Sequence, residues 1–459
     1  MSNYQAELQR GWQIHQQRRF VEAERIYRQV LQKIPASSHA WCYLGIALHD
    51  QRRYAEAESA YRHALELEPQ FPIALNNLGN TLRYLAQFEE ADASFQRAIE
   101  LKPDYFNAYK NRGTMQVWHG NLDLGAKYYQ QALHLNPNDA ELHRNLGVMK
   151  LLNGDFEAGW SEYRWRWRVG DLQRPLTRTP VWDGSPVMGK SILLTAEQGI
   201  GDTLNFVRFA EILRDAGAKT VVYAQTPLLA LLQSAPKLGA IFPNTLPLRQ
   251  QFDFQCSLLD VADILNVNGQ NIPGHVPYLF AAQHLVNYWQ QRLGDKQSAV
   301  RRIGIAWQGN PDHQADMHRS IPLRHYERLS GVAGLELYSL QMGFGSEQLS
   351  SWQGKIPIKT LGDLDRTSGA FMDTAAILQH LDLVITCDTA IVHLAGALGV
   401  PAWLALGFVP DWRWMLTRQD SPWYPSLRLF RQPKHGDWES VFDDMANELR
   451  NTPTRQEQA

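Results

Sequence analysis

Two short segments of this chain hold the residue types that group-transfer chemistry asks for. In Glu197-Gln-Gly-Ile-Gly-Asp202-Thr-Leu a carboxylate follows two glycines, and in Cys387-Asp388-Thr389-Ala-Ile-Val-His393 an Asp, a Thr and a His lie close together. A carboxylate in a crevice can take a proton from an attacking hydroxyl. Asp202 sits where an apolar strand pattern gives way to a helical one, and Gln198, Gly199 and Gly201 form a turn that lets a substrate approach the backbone. The same position suits an Asp that only caps its helix, and the two roles are compatible. In the second segment the amides of Thr389, Ala390 and Ile391 would open a helix and attract a diphosphate. His393, one turn further, could reach a phosphate or hydroxyl, although a lone helical His is also commonly a packed one. Between the segments runs the polar loop Trp307 to Pro322, with Gly309, Asn310 and Arg319. Arg319 can offer a planar fork to the diphosphate where no metal is used.

These groups need a scaffold of strands and helices, and the pattern from Lys190 onward supplies one. Ser191 to Thr195 reads as a buried strand, Asp202 to Ala216 as an amphipathic helix and Val221 to Tyr223 as the next strand. A second strand set follows at Ile303 to Trp307, Leu335 to Leu340, Leu381 to Thr386 and Val400 to Leu404. Two doubly wound halves with a ligand crevice at the strand carboxyl ends are expected. A connector with Pro175, Pro180, Gly184 and Pro186 precedes them, and the polar run Arg292 to Ser298 reads as the linker between them.

Three further motifs carry less than their letters suggest. Gly184 to Ser191 matches G-x-x-x-x-G-K-[ST], but its strand follows the match when it should precede it. Gly199-x-Gly201 lacks the third glycine of a dinucleotide fingerprint, because position 204 is Leu. Asp363-Leu-Asp365 resembles the metal clamp of some sugar transferases, a spacing also common in ordinary loops, and no metal is expected. The aromatic runs Val409 to Trp414 and Ser421 to Ser426 are expected mainly to pack, or else to wall the cleft.

The first third of the chain is different. Gly11, Gly45, Gly79, Gly113 and Gly147 recur every 34 residues, with Tyr27, Tyr61, Phe95, Tyr129 and Tyr163 in step. That period and its small and aromatic positions mark a tetratricopeptide array, whose concave face holds a peptide or a partner protein. The rings are expected to fill the gaps between successive helix pairs. Asn77, Asn111 and Asn145 keep the same register, each amide carrying both a donor and an acceptor. Arrays end in a sealing repeat, so the Trp residues of the Gly159 to Trp167 segment are expected to pack on the next domain.

From about residue 180 to 435 the chain resembles nucleotide-sugar glycosyltransferases of the two-domain GT-B architecture, in the branch of the ADP-heptose lipopolysaccharide heptosyltransferases (glycosyltransferase family 9). The resemblance rests on Glu197 to Leu204 and on Cys387 to Pro401 with its closing Gly399-x-Pro401. It implies that Asp202 is the catalytic base, that Asp388 contacts the donor sugar and that Gln341 meets the base or ribose. Where that branch more often has a lysine, this chain has Arg319. A repeat array ahead of a GT-B region is also similar to O-linked N-acetylglucosamine transferase, in which an asparagine ladder grips the peptide.

The expected fold is an N-terminal tetratricopeptide helical solenoid (1–168) and a linker (169–189). A GT-B pair of Rossmann-like α/β domains follows: an acceptor domain (190–297) and a donor domain with a C-terminal helix (298–459). The expected activity is inverting, metal-independent and cofactor-free transfer from a nucleoside-diphosphate sugar to a hydroxyl or side-chain acceptor. A protein-binding scaffold with an inactive transferase domain is the alternative, and a nucleotide-sugar epimerase a third reading. A net charge of −2 without a basic run argues against nucleic acid. Three isolated cysteines, no apolar leader and no membrane-length apolar run lead to the expectation of a cytoplasmic protein without a transmembrane segment.

Overall fold

The computed structural model describes residues 3–451 except Asp171, Gln173, Pro175, Leu176, Thr177, Arg249, Ser298 and Gln314. Pro175 of the connector, Ser298 at the end of the second linker, Gln314 of the polar loop and the tail to residue 459 thus lie outside the described residues. The chain divides into two compact units, Met1–Met149 and Lys150–Ala459.

In the first unit helices pair in sequence: α1 (Asn3–Gln16) with α2 (Phe20–Lys33), α3 (Ser38–Asp50) with α4 (Tyr54–Leu67), α5 (Pro72–Tyr84) with α6 (Phe88–Leu101) and α7 (Phe106–Trp118) with α8 (Leu122–Leu135). Helix α9 (Ala140–Leu152) crosses the boundary and α10 (Phe156–Tyr163) belongs to the second unit. The repeat rings sit elsewhere than expected. A Cβ on Gly11, Gly45, Gly79 or Gly113 would come within 2.5, 2.6, 2.9 and 2.5 Å of the rings of Tyr27, Tyr61, Phe95 and Tyr129. Each ring therefore closes its own helix pair, using the volume that the missing side chain leaves. Only beyond that does Tyr27 stack on Tyr43 of the next pair, at 5.6 Å between centroids.

The second unit holds two all-parallel sheets. Strand β1 (Ser191–Thr195) leads into α11 (Ile200–Phe206) and α12 (Arg208–Asp215), and then come β2 (Lys219–Ala224), α13 (Leu229–Gln233), β3 (Ala240–Pro243), β4 (Phe254–Ser257), α14 (Leu258–Ile264) and α15 (Gln283–Leu293). The expected single helix Asp202 to Ala216 is thus two helices, starting earlier and broken at Val207. The second sheet is built from β5 (Arg301–Ala306), β6 (Leu335–Ser339), β7 (Ile358–Thr360), β8 (Leu383–Thr386), β9 (Ala402–Leu406) and β10 (Leu427–Arg431). Its helices are α16 (Asp316–Arg319), α17 (Met372–Leu378), α18 (Ala390–Leu398) and α19 (Trp438–Asn451).

Strand order is β3-β2-β1-β4 in the first sheet and β10-β9-β8-β5-β6-β7 in the second. Each order reverses once, between β1 and β4 and between β5 and β8. In open parallel sheets ligands bind outside the strand carboxyl ends at such a reversal. The loops after β1, β5 and β8 are therefore the places to look for a site. The larger core packs Ile303, Ile305, Leu337 and Ile385 against Phe442, Met445 and Leu449 of α19. Among the described residues no strand precedes the P-loop-like segment Gly184 to Ser191, which instead runs into β1, so it lacks the strand-loop-helix order of a phosphate loop.

Candidate functional site

The turn after β1 and the turn after β8 meet. A Cβ on Gly201 would lie 2.9 Å from His393 Cδ2 and 3.8 Å from the Ala390 Cα, so only glycine lets α11 and α18 approach this closely. Asp202 is in the first turn of α11. Its Oδ2 accepts from the Gly199 N–H at 3.0 Å, the capping role, while its Oδ1 accepts from Arg413 Nη2. Removal from water pushes the Asp202 carboxyl up, and the Arg413 guanidinium offsets part of that.

Arg413 connects the two halves of the unit. Its side chain is 6% exposed, its Nη1 donates to Asp411 Oδ1 at 2.8 Å, and its guanidinium lies 4.5 Å from the Trp412 ring centroid. Asp411 also accepts from the Arg413 backbone N–H, which fixes the turn Trp412–Trp414. Asp388, at the end of β8, is pushed up to about 7 by burial and by the nearby Asp411, against the pull of Arg319 and Arg413. Asp202, Asp388 and Asp411 thus share one cluster with Arg319 and Arg413.

The helix after β8 begins as the sequence suggests. Thr389 is the residue before α18, in extended backbone, and its Oγ1 makes no cap: it is buried with no hydrogen-bond partner among the described residues. Ala390 and Ile391 follow, half-buried. His393 is 6% exposed, its Nδ1 is 2.9 Å from Tyr424 Oη, and its ring stacks on Trp414. Burial and the nearby Arg413, Arg208 and Arg319 push its pKa well down, so the imidazole is neutral. One His393 nitrogen is thereby committed to packing.

The loop after β5 is braced from within. Arg319 ends α16 with its Nε on Asp316 Oδ1 at 3.2 Å, and Gly309 makes room for both, since a Cβ there would come within 2.5 Å of Asp316 and 2.7 Å of Arg319. Asn310 is exposed and caps a turn through the Asp312 N–H. Gln341 does something different from the expected base or ribose contact. Its Oε1 accepts from the Trp307 and Gln308 amides at 2.9 and 3.0 Å, and its Nε2 donates to the carbonyls of Gln308 and Phe344 at 3.0 and 2.7 Å. With that side-chain amide spent on backbone, Gln341 is a brace.

The end of the helical region supports the turn after β1. Gln198 Nε2 donates to Tyr163 Oη at 3.1 Å, and Trp160 is edge-on to Trp412 at 5.3 Å. Arg166, 1% exposed, bonds both oxygens of Glu197 at 3.1 and 2.7 Å and Asp260 at 2.6 Å, and Trp167 Nε1 donates to Asp260 at 3.0 Å. This aromatic segment therefore packs on the α/β region, as its composition suggests. Trp412, Trp414, Trp423 and Tyr424 are all buried, so the C-terminal aromatic runs are packing first. Asp365 accepts from the Asp373 and Thr374 amides at the start of α17, and Asp363 pairs with Arg366, so the two carboxylates have separate structural uses.

On the repeats, the Asn111 amide donates to Asn76 Oδ1 at 3.0 Å and Asn76 donates to Asn77 Oδ1 at 3.1 Å, while Asn145 Oδ1 accepts from Arg144. The ladder positions are half-buried and linked into the array, with part of each amide's capacity left over. The residues that sequence reasoning missed are Arg413, Asp411 and Arg166. Arg413 and Asp411 were visible only as members of an aromatic run, and Arg166 only as one of the basic residues between tryptophans.

Tetratricopeptide repeat models match residues 38–71 and 72–105, and a further one matches 116–163, so these segments are tetratricopeptide repeats, a protein-interaction module. Protein FlbA of Caulobacter vibrioides is 25% identical over 320 residues, covering 64% of this chain and 52% of that protein. The chain thus spans about half the length of that relative. Among solved structures, a thermophilic TPR protein of Thermus thermophilus is 18% identical, covering 36% of this chain and 90% of that one with a TM-score of 0.34. Pseudomonas aeruginosa pilF is 19% identical, covering 46% and 86% with a TM-score of 0.36. Among the described residues no helix is long and apolar enough to cross a membrane.

Proposed function

We propose that the repeats recruit a protein partner and that the α/β unit, a GT-B pair of Rossmann-like lobes, is an inverting, metal-independent glycosyltransferase using a nucleoside-diphosphate sugar. The observation that carries the catalytic half is the meeting of the two switch-point turns, which brings Asp202 within the same cluster as Asp388, Arg319, Arg413 and the start of α18. Asp202 takes the proton of an acceptor hydroxyl. The oxygen then bonds the anomeric carbon as the bond to the diphosphate breaks, and the electron pair leaves with the diphosphate. Amides at the start of α18 and the arginines receive that charge. The acceptor is a hydroxyl of the partner that the repeats hold.

A second reading, the repeats as a scaffold beside an inactive domain, has its own support. The family matches fall on the repeats, and both Asp202 oxygens are already engaged. A thermal-shift panel of nucleoside diphosphates separates the two, because a ligand at 100 times its Kd should stabilise the protein by about 2.7 kcal/mol. A shift with one diphosphate, followed by a mass gain on a captured partner given the matching sugar nucleotide, supports transfer. No shift with any of them leaves the scaffold.

A further inference from the structure

We propose that Arg413 exchanges partners during the reaction: in the resting protein it masks Asp202, and an arriving diphosphate takes over one edge of the guanidinium and frees the carboxylate. This deepens the transferase reading and rests on it. The guanidinium divides into two edges with different uses. Its Nη1 holds Asp411, the residue that also fixes the Arg413 backbone, so this edge anchors the side chain. The other edge, Nε with Nη2, matches two oxygens of a phosphate or carboxylate. Asp202 takes only Nη2, and Nε–H is buried with no partner among the described residues. Buried donors of a charged group are costly to leave unbonded, so a half-used edge points to a ligand that completes it.

A second group points the same way. Thr389 Oγ1, at the start of α18, is also buried and unpartnered, next to Asp388 in the same charge cluster. A phosphate drawn to the start of α18 would give that hydroxyl a partner as well. The turn that carries Arg413 is also held in a strained state: Met415, which ends it, has φ 50° and ψ −171°, a region that side chains other than glycine avoid.

The consequence is an order of events. Asp202 keeps its Oδ2 bond to the Gly199 amide and so stays oriented, while its Oδ1 becomes available to the acceptor proton only once the donor is seated. A base held in an ion pair cannot activate water before the sugar nucleotide arrives.

Calorimetric titration of the full chain with the nucleoside diphosphate that gives a thermal shift tests the exchange. Asp202→Asn should tighten binding about tenfold, since no ion pair has to be opened. Arg413→Gln should weaken it about tenfold or more, and Arg413→Lys, which keeps charge without the planar fork, should weaken it too and serves if the Gln variant does not fold. In the double variant the gain from Asp202→Asn should vanish. Unchanged or weaker binding by Asp202→Asn overturns the exchange, and so does a gain that persists without Arg413, which would mean general charge repulsion. If the wild-type chain binds no nucleoside diphosphate, the transferase reading itself fails.

Discussion

Replacing Arg166 by Met should unfold the second unit preferentially. Arg166 is 1% exposed, and its partners Glu197 and Asp260 have side chains 5% and 8% exposed. Its three charge-assisted bonds hold the segment after α10 to the strand ends of β1 and β4. Methionine fills much of the volume but leaves two carboxylates close together, with Glu197 on the Ser257 hydroxyl and Asp260 on Trp167. Breaking a buried pair in this way costs about 3–5 kcal/mol. Twelve of the fifteen tryptophans lie beyond residue 149, so urea titration followed by tryptophan fluorescence reads mainly this unit. The variant should also gain a pH signature. Burial already raises the Glu197 pKa against the pull of Arg166, and losing Arg166 raises it further. A carboxyl whose folded pKa exceeds its unfolded value stabilises fully below the unfolded pKa and loses that contribution as pH rises through the folded pKa. The deficit of Arg166→Met should therefore be smallest in acid and grow towards neutral pH, and Arg166→Met with Glu197→Gln and Asp260→Asn should recover most of it. A loss under about 1 kcal/mol, the range of an exposed pair, would refute the reasoning.

Asp388→Asn should flatten the pH dependence of stability. With its pKa near 7, Asp388 favours folding at low pH, and that contribution is lost towards pH 7 at up to about 1.4 kcal/mol per pH unit; equal slopes in denaturation series from pH 4 to 8 would contradict the assignment. In the repeats, Gly45→Ala gains helix propensity of about 1 kcal/mol, yet its Cβ meets the Tyr61 ring at 2.6 Å. Overpacking of about 1–3 kcal/mol should win, and adding Tyr61→Leu to the Gly45→Ala variant should restore stability rather than reduce it further, measured by circular dichroism.

The repeats were legible because their contacts are local and their period repeats the same choice of residue: Gly45 needs Tyr61 sixteen positions away, and Gly11, Gly79 and Gly113 need Tyr27, Phe95 and Tyr129 in the same way. Strands β1, β2, β5, β6, β8 and β9 were legible as buried apolar runs, and with them the turns that carry Asp202 and Thr389, whereas β3, β4, β7 and β10 were not read from the sequence. The break at Val207 was not, because the amphipathic pattern runs through it and only tertiary packing redirects the chain. Gln341 shows the same limit. Its position at a strand end was readable, but only the fold turns its amide back on Trp307 and Gln308.

By itself the sequence determined the repeat array, the two parallel α/β halves and the residue types at the ends of β1 and β8. The tertiary structure decided which charges meet. Arg413 reaches Asp202 across 211 residues of chain, and Arg166 reaches Asp260 across 94. A side chain's electrostatic partners depend on distance in space and on exclusion of water, and neither is encoded in any local pattern around it.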